Sequence, residues 1–159
     1  MPSKANPAYV DGLKMLARRD LSEARLRERL VRRGHQPELI DDAVSRLREE
    51  RAIDDARVAE AIARTETSIR RRGKLRVRLQ MERAGIDRRT ARRVADDVFA
   101  GLDEDGGHDS LMEASLARRL PSGAKIEDDR EFQRLYRYLI GQGFEADRVL
   151  LLLNRRKRP

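Results

Sequence analysis

Ser68-Ile-Arg-Arg-Arg-Gly-Lys-Leu-Arg-Val-Arg-Leu-Gln-Met-Glu-Arg-Ala-Gly-Ile-Asp-Arg-Arg-Thr-Ala-Arg-Arg-Val-Ala-Asp-Asp-Val-Phe99 decides how the rest of the chain is read. Between Arg70 and Arg93 it holds eleven Lys or Arg residues against two acids, Glu82 and Asp87, while the whole chain carries a net +8. The surplus of basic charge is therefore local. Two apolar combs run through the segment, and Gly85 separates them. Leu75 to Met81 alternates with period two and by itself reads as a strand. The rest of the chain overrules that reading, because the same pattern recurs twice in helical grammar.

With Gly34, Gly85 and Gly143 in register, Leu26 falls on Val77 and Leu135, and Leu30 falls on Met81 and Leu139. After the glycine, Ile40 falls on Ala91 and Val149, Ala43 on Val94 and Leu152, and Val44 on Ala95 and Leu153. Leu47 falls on Val98, but the third copy has Arg156 there, which predicts that this copy ends early or frays. Each copy reads as helix, glycine stop, short turn, helix, with a further helix in front. A glycine takes the left-handed conformation at a helix end without steric cost. One helix pair cannot bury its own apolar stripe, so such units stack into an array. The expected fold is all-α, an elongated array of three tandem three-helix repeats.

The boundaries follow from this register. Residues 1–7 read as a flexible tail, 8–53 as the first repeat, 54–100 as the basic second repeat and 101–109 as an acidic, glycine-rich linker. Residues 110–155 make the third repeat and 156–159 a basic tail. Ser22, Asp54, Asp87 and Asp128 or Asp129 are placed to cap helix starts, since a short polar side chain accepts the free backbone N–H groups there. Pro37 suits a first helical turn.

Composition narrows the function classes. The chain is 40% charged and 4% aromatic, yet its apolar residues keep helical spacing, so it reads as folded, with solvated helix faces. There is no cysteine, which removes disulfides, thiolate catalysis and thiolate-bound zinc, and fits a reducing compartment. No apolar run approaches the roughly 18 residues of a membrane span. No signal-peptide core follows the start. The protein reads as cytoplasmic, with no membrane partner, and is expected to act as a monomer.

Catalysis finds little support. His35 sits beside a helix-ending glycine and His108 in the linker, neither with a carboxylate at motif spacing. Asp103, Glu104, Asp105 and Asp109 lack calcium-loop spacing. No phosphate-binding glycine loop occurs, so ATP hydrolysis by this chain is not expected. No catalytic residue, metal or cofactor is assigned.

The basic segment is the functional candidate. Arg70, Arg71, Arg72, Lys74, Arg76 and Arg78 crowd one helix start, and Arg88, Arg89, Arg92 and Arg93 share a broad face of the next helix. Such crowding costs stability, and a polyanion would relieve it while releasing counterions. Asp54, Asp55 and Arg57 are secondary candidates for partner contact, as are Arg155, Arg156, Lys157 and Arg158 near the end. Leu79 to Phe99 also reads as a helix-turn-helix, which raises an alternative: a DNA-binding transcriptional regulator. Against it, the same turn occurs in all three copies, and the arginine face offers no Asn or Gln to read bases.

Three stretches carry a family resemblance. Ala17-Arg-Arg-Asp-Leu-Ser-Glu-Ala-Arg-Leu-Arg-Glu-Arg-Leu-Val-Arg-Arg-Gly34, then Leu47-Arg-Glu-Glu-Arg-Ala-Ile-Asp-Asp-Ala-Arg-Val-Ala59, then Arg72-Gly-Lys-Leu-Arg-Val-Arg-Leu-Gln-Met-Glu-Arg-Ala-Gly-Ile86 together resemble the RecX family, bacterial regulators of the RecA recombinase. The Asp54-Asp55-x-Arg57 piece is the most specific, although Val58 stands where an aromatic is usual. The resemblance spans roughly residues 8 to 155. It implies three tandem three-helix repeats and a non-enzymatic protein that binds RecA filaments on single-stranded DNA, lodges in the filament groove, and suppresses strand exchange and ATP turnover. Direct contact with DNA is also implied as an option.

Overall fold

The computed structural model describes residues 5–159. Over these residues the chain forms nine helices: α1 (Pro7–Arg18), α2 (Glu23–Arg32), α3 (Pro37–Glu49), α4 (Asp55–Ser68), α5 (Lys74–Arg83), α6 (Arg88–Glu104), α7 (Gly107–Leu116), α8 (Asp129–Gly141) and α9 (Ala146–Arg156). They form an elongated array of tandem three-helix units, α1–α3, α4–α6 and α7–α9. The Leu75–Met81 segment is helical, because the tertiary pattern outweighs local alternation.

The repeat register is realised atom by atom. Gly34, Gly85 and Gly143 have φ of 86°, 92° and 97°, all left-handed. After each, the same backbone bond closes the helix end: His35 N–H to Leu30 O at 3.3 Å, Ile86 N–H to Met81 O at 3.1 Å, Phe144 N–H to Leu139 O at 3.3 Å. The apolar positions in register, from Leu26, Val77 and Leu135 through Val44, Ala95 and Leu153, are all buried. Ser22, Asp54, Asp87 and Asp128 each accept a backbone N–H two or three residues on, as cap residues do.

The units are joined by one repeated contact. The residue capping the second helix of a unit donates to the carbonyl just before the glycine turn of the next unit. In the first joint Ser22 Oγ donates to Ala84 O at 2.6 Å; in the second, Gly73 N–H donates to Gln142 O at 2.8 Å. Ser22 and Gly73 are register equivalents, as are Ala84 and Gln142. The second joint is closer: a Cβ on Gly73 would stand 2.5 Å from the Gly143 carbonyl carbon. Leu75 N–H adds a bond to Gly143 O at 3.1 Å.

This difference divides the interior. Units two and three share one apolar core that runs from Val58 through Phe99 and Leu116 to Leu153. Unit one keeps a separate core of Ala8, Leu21, Leu26, Leu30, Ile40, Ala43, Val44, Leu47 and Ile53. Its joint to unit two is polar. Beside the Ser22 bond, Glu23 N–H donates to Asp55 Oδ1 at 2.9 Å, and Arg57 meets Asp20 at 3.2 Å.

Several sequence expectations are corrected. Residues 101–109 are not a linker: α6 continues to Glu104, Gly106 turns the chain at φ 68°, and α7 starts at Gly107. His108 is buried against Phe99, ring centroids 5.0 Å apart, and its Nδ1 lies 2.9 Å from Asp103 Oδ1. Arg148 reaches the same Asp103 oxygen at 2.8 Å. His35 likewise has a carboxylate, Asp11, at 2.8 Å, and that bond holds the Asp11 carboxyl below its ordinary range. Asp11 and His35 are 24 positions apart and share no motif spacing; Asp103 and His108 are five apart but stand on either side of the Gly106 turn.

The ends are also more ordered than their composition suggests. Of the expected tail 1–7, residues 1–4 lie outside the described residues. Asn6 caps α1 and donates to Leu39 O at 2.8 Å, and Pro7 opens the helix. The third copy does end at Arg156, two residues short of the register equivalent of the α3 end, but it does not fray there: Arg156 pairs with Glu113 at 2.6 Å. Ile126 N–H donates to Arg156 O and Arg158 N–H to Ile126 O, so the segment read as a basic tail is pinned by a backbone bridge at least to Arg158.

Gly143→Ala is expected to cost about 2–4 kcal/mol, because the new methyl meets both a left-handed backbone and the Arg76 amide. Gly34→Ala, with similar φ but open space around it, is expected to cost only about 1 kcal/mol. Urea unfolding of the two variants checks the difference; equal costs would remove the joint from the account.

Candidate nucleoprotein-binding surface

The ten basic candidates of the middle unit separate into two groups. Arg78 on α5 and Arg88, Arg89, Arg92 and Arg93 on α6 line one open concavity of about 850 Å³, together with Glu82, Asp96 and Asp97. The helical spacing explains the convergence: positions 88, 89, 92 and 93 fall on the face opposite Ala91, Val94 and Ala95, which are buried. The α5–α6 turn at Gly85 then folds Arg78 across from them.

The charges within this groove are only partly matched. Arg93 stands 3.8 Å from Asp97 and Arg78 3.9 Å from Glu82, both loose pairs. Among the described residues, Arg88, Arg89 and Arg92 have no carboxylate within 4 Å. Asp96 is committed to Lys74 at 2.6 Å. That hydrogen bond holds the Asp96 carboxyl below its ordinary range; burial opposes it, and the charges of Arg92 and Arg78 add to the lowering. The local surplus is thus smaller than the sequence count suggests, because the acids that follow Arg93 fold back onto the groove. Five guanidiniums still face three carboxylates. Arg88 and Arg89 also stand at the positive end of α6, directly after the cap carboxylate of Asp87.

The other half of the basic segment serves the fold. Glu66 projects from the apolar face of α4 and is buried. Arg72 Nη1 donates to it at 2.9 Å, and Arg70 stands at 3.5 Å. Arg118 from unit three donates to the carbonyls of Ile69 and Arg70. Arg71 is exposed with φ 55°, in the turn between α4 and α5. Arg76 is half-buried, with its backbone under Gly143. These residues, with Lys74, do not line the groove. The signal that separates them was present in the sequence: Glu66 follows Ala59, Ile62 and Ala63 at core spacing, so an acid on the apolar stripe requires cations nearby.

The secondary candidates are engaged internally. Asp54 caps α4 through Arg57 N–H at 3.1 Å. Asp55 accepts from Glu23 N–H; burial pushes its carboxyl above the ordinary range, against that hydrogen bond. Arg57 donates to Asp20, Arg51 O and Ala52 O. Lys157 sits 4.5 Å from the Phe132 ring centroid, and Arg158 pairs with Glu127 at 2.6 Å. Arg155 is exposed at the end of α9. Among the described residues no cluster of His, Asp or Glu is placed to hold a metal, and no helix is long and apolar enough to cross a membrane.

Residues 8–47 match the family model for the first three-helix domain of RecX. Regulatory protein RecX of Halorhodospira halophila is 33% identical over 138 residues, covering 86% of this chain and 80% of that one. Regulatory protein RecX of Chromohalobacter salexigens is 34% identical over 139 residues, covering 87% and 86%. The crystal structure of RecX from Lactobacillus salivarius overlays with a TM-score of 0.74 at 18% identity, covering 93% of each chain, a likeness of fold.

Arg72→Ala leaves the buried Glu66 with only the longer contact to Arg70 and is expected to cost about 2–4 kcal/mol. Arg88→Ala, exposed and unpaired, is expected to change stability by about 0.5 kcal/mol or less. Thermal unfolding followed by circular dichroism checks both, and a large loss in Arg88→Ala would mean that the groove is structural.

Proposed function

The chain belongs to the RecX family, regulators of the RecA recombinase, and from that premise we propose that it binds RecA and RecA filaments on single-stranded DNA through the arginine groove between α5 and α6. In this reading it is a non-enzymatic cytoplasmic regulator that inhibits recombinase and ATPase activity and so modulates recombination, repair and the SOS response. The observation that carries the reading is the convergence of Arg78, Arg88, Arg89, Arg92 and Arg93 on one concavity, with three of them unpaired among the described residues.

The chemistry fits a nucleoprotein. A guanidinium offers parallel N–H donors that match phosphate or carboxylate oxygens in pairs, and it stays charged at any physiological pH. The backbone of the groove is helical, so the ordering cost of binding falls on the arginine side chains. A filament presents both of the partner chemistries that such a groove accepts: phosphates along its DNA and acidic side chains on its protein. The groove includes no Asn or Gln among its lining residues, which favours backbone contact over base reading and counts against a sequence-specific regulator.

RecA-driven ATPase on single-stranded DNA, measured with and without the protein, tests the reading directly. The wild-type chain should inhibit turnover. A variant with R88E and R92E should need roughly tenfold more protein for the same inhibition, as expected when two charge-assisted contacts are reversed, with unchanged helical content. Full-strength inhibition by the variant would remove the groove from the mechanism. Tight preference for one duplex sequence over random DNA would favour the transcriptional alternative.

A further inference from the structure

Unit one carries a second cationic surface that the sequence hides. Arg18 and Arg19 follow one another at the end of α1, and Arg29, Arg32 and Arg33 cover the last turns of α2. The five surround an open concavity of about 520 Å³, with Met15 as the remaining lining residue. Ten or more positions separate the two groups in sequence, and Asp20, Glu23 and Glu28 fall between them, so the sequence does not show which arginines of this stretch share a face.

The acids of this unit are spent elsewhere. Glu23 is shared by Arg27 and Arg48, Asp41 meets Arg27, Glu50 meets Arg46, and Glu28 meets Arg25. Only Asp11 approaches the concavity, at 3.8 Å from Arg33, and its shorter bond is to His35 at 2.8 Å. Among the described residues, Arg18, Arg19, Arg29 and Arg32 have no carboxylate within 4 Å. Unit one is therefore polarised: its ion pairs lie on α2 and α3, while unneutralised guanidiniums gather where α1 and α2 end. Helix ends favour a cation or two through the dipole. That effect does not account for five, which repel one another across the concavity.

We propose that this concavity is a second binding site for the phosphodiester backbone of a nucleic acid, distinct from the α5–α6 groove. A polymer of evenly spaced anions is the ligand that meets several guanidiniums at once without a shaped apolar pocket, and Met15 is the one apolar side chain in the lining. The two sites stand on different units with separate cores, joined at Ser22 and Ala84. A single strand that spans them engages the second site intramolecularly once the first is bound. The inference extends the reading above by naming DNA as a direct ligand, and its test needs no recombinase.

Fluorescence anisotropy with a labelled single-stranded oligothymidine, measured over a range of salt, tests it. R29Q with R32Q should weaken binding roughly tenfold at low salt and lower the slope of log affinity against log salt by about 1.4, as expected for two lost phosphate contacts on a single strand. R88Q with R92Q serves as the parallel variant for the groove, and the fourfold variant should lose both increments. Circular dichroism confirms folding, and R29K with R32K, which keeps the charge, should retain most of the salt slope. An unchanged affinity and slope in R29Q with R32Q overturns the proposal. So does a loss that appears only when RecA protein is present, which would make the surface a protein contact. Loss of DNA binding in R29Q with R32Q alongside intact inhibition of RecA supports this site and leaves the groove reading standing, whereas full-strength inhibition by R88E with R92E removes the groove reading and leaves this site untouched.

Discussion

One hydrogen bond, made twice, holds the array together: a donor at the start of a unit's second helix reaches the carbonyl that precedes the next unit's glycine turn. It sets how the arginine surface of unit one stands relative to that of unit two. The turn exists because a glycine takes the left-handed conformation there, and the carbonyl is available because it ends a helix. The donor is available because it opens one. Two unsatisfied helix termini thus complete each other across a unit boundary, and no long side chain is needed to align them. In the second joint the approach is so close that only glycine fits on either side, and the apolar faces of units two and three fuse. In the first joint a serine hydroxyl takes the place of the main-chain amide. The added side chain keeps the backbones apart, and the cores remain separate.

The placement of charge follows from this geometry more than from local density. The most basic stretch of the chain supplies both structural and free cations, and the division depends on what the neighbouring helices bring. Arg72 is taken by Glu66, an acid that α4 buries, and Lys74 by Asp96, which α6 returns to the foot of α5. Arg88, Arg89 and Arg92 stay free because the opposite wall of their groove is the basic helix α5. In unit one the reverse happens. A stretch of nearly balanced charge folds so that its acids pair among α2 and α3, and the arginines left over meet at one end.

Much of the fold was legible in the sequence because it rests on short-range rules. Gly34, Gly85 and Gly143 announce the turns, Ser22, Asp54 and Asp87 announce the helix starts, and the apolar register fixes which faces are buried. The convergence of Arg88, Arg89, Arg92 and Arg93 was legible for the same reason, since they share one helix. What escaped notice depends on how the chain turns between helices, in some places over a few residues and in others over many. The Gly101–Asp109 stretch looks like a linker until Asp103 is seen to hold both His108 and Arg148. The basic end looks free until Ile126 pairs with its backbone. Glu66 sat in plain view on an apolar stripe, yet a solvated reading of charge passed over it.

The unequal joints divide the interior into two separately packed bodies. Units two and three share a continuous apolar interior, whereas unit one is joined to them by polar contacts: the Ser22 hydroxyl on Ala84 O, the Glu23 amide on Asp55, the Arg25 guanidinium on Arg83 O and the half-exposed Arg57–Asp20 pair. A swivel of a few degrees about Ser22 would carry the far end of α2 through a much larger arc than the hinge itself travels. The distance between the two arginine surfaces is in that sense an adjustable gauge, set by a pivot that lies outside both of them.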